Sequence, residues 1–110
     1  PPSPPANPEQ ATIFGAHVMS DNSSPEGVSI GASLRNQAGA IIAYSVGNML
    51  IPIAQSTAAD SNGNWSMDLF GNDSIVPSGS FWLVVISAAN FSAQVTLTAG
   101  QVLNIDDLIA

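Results

Sequence analysis

The sequence predicts an all-β domain: an antiparallel two-sheet sandwich of about seven strands behind an extended Pro-rich N-terminal arm. Three observations carry that prediction. Apolar residues repeatedly alternate with polar ones at the two-residue period of a strand. Clusters of Gly, Asn, Asp, Ser and Pro interrupt these runs roughly every eight to twelve residues, the rhythm of a sandwich or small barrel. Helix-period patterns are nearly absent. With 110 residues, 45% of them apolar, the chain fills one core and not two.

The arm is Pro1 to Gln10, with four prolines among its first five residues and another at Pro8. Such a stretch favours polyproline II and cannot pair in a sheet, so it is a linker or an arm that docks on a neighbouring subunit. The domain proper is 11–110. Its first strand lies within Ala11 to Met19, with Ile13, Ala16, Val18 and Met19 apolar and Gly15 marking a bulge or a close backbone approach. Turn formers fill Ser20 to Gly27. Val28, Ile30, Ala32 and Leu34 then alternate with Ser29, Gly31, Ser33 and Arg35, a strand with one buried face.

Ala40 to Ala59 leaves strand and irregular structure open. Ile41, Ile42, Tyr44 and Val46 suit one strand, Gly47-Asn48 a turn, and Met49 to Ser56 another strand in which Pro52 demands an edge or an irregular position. A helix over 38–44 is bracketed too closely by Gly39 and Gly47 to exceed about two turns.

The chain is organised around Ala59 to Phe70. Asn62-Gly63 signals a two-residue primed turn, in which both central residues need positive φ. Behind it Trp65, Met67 and Leu69 alternate with Asn64, Ser66 and Asp68, so the turn is expected to join two strands and fix the register of a sheet. Gly71 to Gly79 is a long connection in which Ile75 and Val76 plug the end of the core. Phe81 to Ile86 is apolar on both faces, Phe81, Leu83 and Val85 on one and Trp82, Val84 and Ile86 on the other. Since a sandwich covers only one face of each sheet, the second face needs a loop, the arm or another subunit over it. Phe91, Ala93, Val95 and Leu97 form the next strand, Val102 to Ile105 the last, and Asp106 to Ile109 a closing helical turn.

Composition excludes several function classes. One Arg, no Lys and eight acidic residues give a charge of −7, which repels phosphate backbones and anionic membrane surfaces, so nucleic acid is not a partner. No apolar run is long enough for a membrane span. Cysteine is absent, which removes disulfides, thiol catalysis and thiolate metal sites. The start P-P-S-P-P carries none of the features of a signal peptide and reads as a cut point or a processed end.

Candidate chemistry is sparse. Asp60, Asn62, Asn64 and Asp68 put oxygen ligands at alternate positions, as calcium prefers, but Gly63 falls at position four and Gly71 at position twelve of such a loop, where an EF-hand needs Gly at six and Glu at twelve. A turn whose Asp and Asn cap backbone groups accounts for the same residues. Asp68 with Asp73, and Asp106 with Asp107, are the carboxylate pairs to weigh for glycoside hydrolysis. Adjacent strand residues point to opposite faces, and capping of the terminal turn suits Asp106 and Asp107 better. His17 has no second His or Cys with which to share a metal, and no G-x-S-x-G elbow supports Ser-His-Asp hydrolysis. No cofactor is implied. Trp65 and Trp82 belong to the core or a subunit contact; exposed together, they would instead form a sugar-stacking platform. Arg35 belongs at a strand end or in an ion pair with a neighbouring chain.

Three segments carry a family resemblance. Asp60 to Leu69 fits D-x-N-G-N-W/F-S-x-D/T-L, Pro77-Ser78-Gly79 precedes the apolar strand Phe81 to Ile86, and Asn104 to Leu108 ends in x-D-D-L. Glu26-Gly27-Val28-Ser29-Ile30 matches a G-x-V-x-I/V strand after a turn. The set resembles the transthyretin-like or carboxypeptidase-regulatory-like β-sandwich modules in minor tail, fibre and decoration proteins of tailed bacteriophages, and the sandwich is expected to be transthyretin-like or immunoglobulin-like. The resemblance covers about Ala11 to Ile109 and departs at Ala38 to Met49, which is longer and more apolar. It implies a non-enzymatic structural module at a virion surface or another extracellular location. Its partners would be other virion subunits and further copies of itself in a homo-oligomer, together with a host-surface glycan or protein. The expected contact strand is Phe81, Trp82, Leu83, Val84, Val85 and Ile86. The alternative is a bacterial extracellular adhesin or carbohydrate-binding accessory domain, which needs Trp65 or Trp82 exposed.

Overall fold

Side chains that alternate in sequence alternate in burial, and this turns the apolar stretches into two facing sheets. A computed structural model of the chain describes residues 7–16, 25–36 and 43–108. Among them are nine strands: β1 (Gln10–Ala16), β2 (Ser29–Arg35), β3 (Ser45–Val46), β4 (Met49–Leu50), β5 (Ala54–Ala58), β6 (Asn64–Phe70), β7 (Phe81–Ile86), β8 (Phe91–Val95) and β9 (Val102–Asn104). The first sheet has the order β6-β1-β9 and the second β5-β2-β7-β8, while β3 and β4 form a separate hairpin. The architecture is an all-β sandwich, as the alternation predicts.

Both sheets feed one core. Ala11, Ile13, Trp65, Met67 and Leu69 come from the first sheet and Ile30, Ala32, Leu34, Trp82, Val84, Ile86 and Val95 from the second. Tyr44, Val46, Ile51 and Ile75 join the same cluster. Trp82 is 1% exposed, and its indole Nε1 donates to the Phe70 carbonyl at 2.9 Å, tying the sheets together. That bond satisfies the one polar atom of the largest core side chain.

Several expectations need correction. Asn62-Gly63 is not a two-residue primed turn, because of that pair only Gly63 has positive φ, at 86°. The Gly63 amide instead donates to the Asp60 carbonyl at 2.9 Å, and the Asp60 amide to the Asn64 carbonyl at 3.0 Å. Asp60 and Asn64 therefore close a three-residue loop that ends in a left-handed glycine. Nor does this loop join two strands of one sheet. β5 pairs with β2 and β6 with β1, so the corner carries the chain from one sheet to the other. The turn with two positive φ angles lies at Gly47 (56°) and Asn48 (67°), between β3 and β4. The sandwich is not wholly antiparallel either, since β9 runs parallel to β1. Val76 does not plug the core; it is 61% exposed and pairs with Ser45, while Ile75 is buried.

Other elements fall where the residues put them. Gly15 is a close approach: a Cβ there would meet the Trp65 ring at 3.0 Å and Asp106 Oδ1 at 3.1 Å. Pro52 lies between β4 and β5, outside any strand. The closing helical turn is a 3₁₀ turn at Ile105–Leu108. Its cap is Asn104, whose Oδ1 accepts from the Asp106 amide at 3.0 Å, while Asp106 Oδ2 accepts from the Ala16 amide at the end of β1. Glu9 and Gln10, at the end of the predicted arm, bond into the fold: the Gly71 amide donates to the Glu9 carbonyl at 2.9 Å and the Gly100 amide to the Gln10 carbonyl at 2.8 Å. His17, the stretch 18–24 and the stretch 37–42 lie outside the described residues.

Candidate functional site

The pairing of β7 with β2 sorts the apolar strand Phe81–Ile86 into two faces. Trp82 lies beside Leu34 and Val84 beside Ala32, and all four are buried between the sheets. On the other side Phe81 lies beside Arg35, Leu83 beside Ser33 and Val85 beside Gly31. Phe81, Leu83 and Val85 are half-buried and form an apolar stripe down the outer face of the second sheet. β8 flanks the stripe with Ser92 and Gln94, and β5 ends the face with Ala54, Ser56 and Ala58. A Cβ on Gly31 would meet nothing within 4 Å, so the face is open beside Val85. The candidate contact strand is thus half core and half outer surface.

Charge is unevenly placed around this face. Arg35, the only cationic Lys or Arg residue of the chain, stands on it at the end of β2. Its Nε is buried without a hydrogen-bond partner among the described residues. None of the strand positions on the face holds a carboxylate. Glu26 and Asp60 lie at the opposite end of the sheet from Arg35, where the Gly27 amide donates to the Ala59 carbonyl and the Ala59 amide to the Val28 carbonyl, both at 2.9 Å.

The candidate calcium ligands do different work. Asp60 Oδ1 accepts from the amides of Asn62 at 2.8 Å and Asn64 at 3.0 Å, while Asp68 Oδ1 accepts from the Thr12 hydroxyl at 2.7 Å. Asn64 and Asp68 are four residues apart on one strand, a separation of about 13 Å. The carboxylates of Asp60 and Asp68 are spread along β6 and its corner and do not converge. No group of three or more His, Cys, Asp or Glu among the described residues is placed to hold a metal ion. Asp73 Oδ1 accepts from the Ala99 amide at 3.1 Å and Asp106 Oδ2 from the Ala16 amide at 3.0 Å, so one member of each Asp pair is engaged in holding backbone.

Both tryptophans are core residues, Trp65 at 5% and Trp82 at 1% exposure, so they form no stacking platform. Trp65 also lines a cleft of about 530 Å³ at the β5–β6 corner, together with Phe14, Thr57, Asp60, Asn64 and Ser66. Its Nε1 is buried without a partner among the described residues. A second surface feature escaped the sequence reading. Met49 and Leu50 of the β3–β4 hairpin and the bridged Val76 are exposed, at 67%, 81% and 61%. The only sequence signal near it was Gly47-Asn48, the turn that folds Met49 and Leu50 back onto β3 as a short hairpin.

Comparison with protein-family models and with curated proteins finds no match to this chain.

Proposed function

We propose that this domain is a non-enzymatic structural module displayed on a phage particle, in a tail, fibre or head decoration, and that it works by contact with neighbouring subunits. The observation that carries the reading is the outer face of the second sheet: an apolar stripe free of carboxylates in a chain of charge −7. A face without carboxylates, with Phe81, Leu83 and Val85 in a stripe along it, is the composition of a subunit contact. The proline-rich start of the chain suits a spacer that sets such a module off from its anchor. The virion assignment rests on the resemblance of Asp60 to Leu69, Pro77 to Ile86 and Asn104 to Leu108. Repetition by particle symmetry would make even weak host contacts effective. The adhesin or glycan-binding alternative has lost the tryptophan platform that it required.

The test is immunogold labelling of intact phage particles purified from the source of the chain, with antibodies raised against this domain. Label at regular positions on the particle is the expected result. Particles without label, alongside soluble chain in the same lysate, would overturn the virion assignment.

A further inference from the structure

We propose that the outer face of the second sheet packs against the same face of a second copy of this chain, across a two-fold axis that sets the two β2 strands antiparallel. The proposal rests on the assembly reading above and names its partner. Two copies of charge −7 repel each other, and the contact that adds fewest like-charge neighbours uses the face without carboxylates on its strands. That face belongs to β5, β2, β7 and β8, and Phe81, Leu83 and Val85 run through it. An isologous contact buries the same stripe twice, each against the other.

Charge complementarity fixes the direction. Arg35 ends β2 at one end of the face, while Glu26 precedes β2 and Asp60 follows β5 at the other. An axis between Gly31 and Ser33 lays Arg35 of each copy over Ser29 of the second copy, at the end that carries Glu26 and Asp60. Each copy's cation then meets the other's acidic end. A parallel arrangement would set Arg35 against Arg35 and the acidic ends against each other. The same axis lays Gly31, open above its backbone, over Ser33 of the second copy and Leu83 over its Val85, so the apolar stripe meets itself at the centre. The face is roughly 14 Å by 20 Å from strand spacing and rise. That is about 280 Å² a side, below the roughly 600 Å² a side at the lower limit of stable interfaces, so the dimer is weak and forms only at high concentration.

The experiment is analytical ultracentrifugation of the full chain over a wide concentration range at neutral pH. The wild type should pass from monomer to dimer. Leu83→Glu puts a carboxylate in the stripe and should leave a monomer that still unfolds cooperatively, because Leu83 is on the outer face and not in the core. Arg35→Glu should weaken the dimer at least tenfold, and Arg35→Glu with Glu26→Arg should restore it. A wild type that stays monomeric, or a dimer indifferent to Leu83→Glu or unrestored by the double exchange, overturns the proposal. Particle labelling separates the two readings: labelled particles with a monomeric free chain refute this dimer and leave the virion module standing.

Discussion

Tyr44 shows how a single buried group shapes stability. It is 1% exposed, and its hydroxyl has no partner among the described residues. Burial disfavours the phenolate and pushes the Tyr44 hydroxyl above its usual pKa. The folded state therefore keeps the proton at a pH where the unfolded chain loses it. This stability is fully present below the ordinary tyrosine value of about 10 and falls as pH rises through the folded value. Tyr44→Phe should flatten the fall in melting temperature above about pH 10 and, by removing an unpaired hydroxyl, match or exceed the wild type at neutral pH. Gly71 sits under a different constraint. A Cβ there would meet the Ala99 amide nitrogen and Asp73 Oδ1, both at 2.6 Å. Gly71→Ala should cost about 2–3 kcal/mol in urea unfolding, because backbone and the bonded Asp73 must both shift. Asn72, also buried, bonds the Leu97 amide through Oδ1 at 2.8 Å and Ser80 Oγ through Nδ2 at 3.1 Å. Asn72→Ala orphans the Leu97 amide and should cost about 2 kcal/mol by the same measurement.

At the scale of elements, the corner at Asp60 to Asn64 decides how β5 hands the chain to β6. One carboxylate oxygen accepts two backbone amides there, so Asp60→Ala should lower stability by about 1 kcal/mol in denaturant titration. The same bonds leave Asp60 a poor calcium ligand, and Asp68 stands a strand's length away. Millimolar calcium should leave the melting temperature where chelator leaves it; a rise of several degrees would show that these oxygens do converge on an ion. Much of this element was visible in advance. Asn62-Gly63 and the Trp65, Met67, Leu69 alternation located the turn and the buried face correctly, because both are local properties of a few residues. The turn type and the sheet change were not visible, because they depend on where β2 and β1 lie.

For the whole molecule, the distribution of charge matters more than its total. Salt at about 0.15 M shortens the screening length to about 8 Å from about 30 Å at 0.01 M. Repulsion between two bodies of charge −7 acts over the longer distance, whereas Arg35 would meet its partners in contact. Dimerisation should therefore strengthen as salt rises over that range, which sedimentation at the two ionic strengths will read. A dimer that weakens steadily from the lowest salt would mean that ion pairs, and not the apolar stripe, hold it. The stripe itself was legible as a strand apolar on both faces. Which face was core was not, since Trp82 and Phe81 are equally apolar in sequence.

What the sequence determined by itself was the strands outside 40–59 and their alternating faces, because a two-residue period and a turn cluster need no distant partner. It also determined the scarcity of cations, one Arg and no Lys. Only the tertiary structure decided which strands pair. β1 lies between β6 and the last strand, β9, parallel to it, and β5 leaves β6 for β2. The physical reason is that backbone bonds between strands are the same for any partner, and the entropy of closing a loop changes slowly with its length. Sequence distance therefore selects no neighbour. Packing of Trp82, Leu34 and Ile13 in one core does, and it sends Phe81, Leu83, Val85 and Arg35 to the outside.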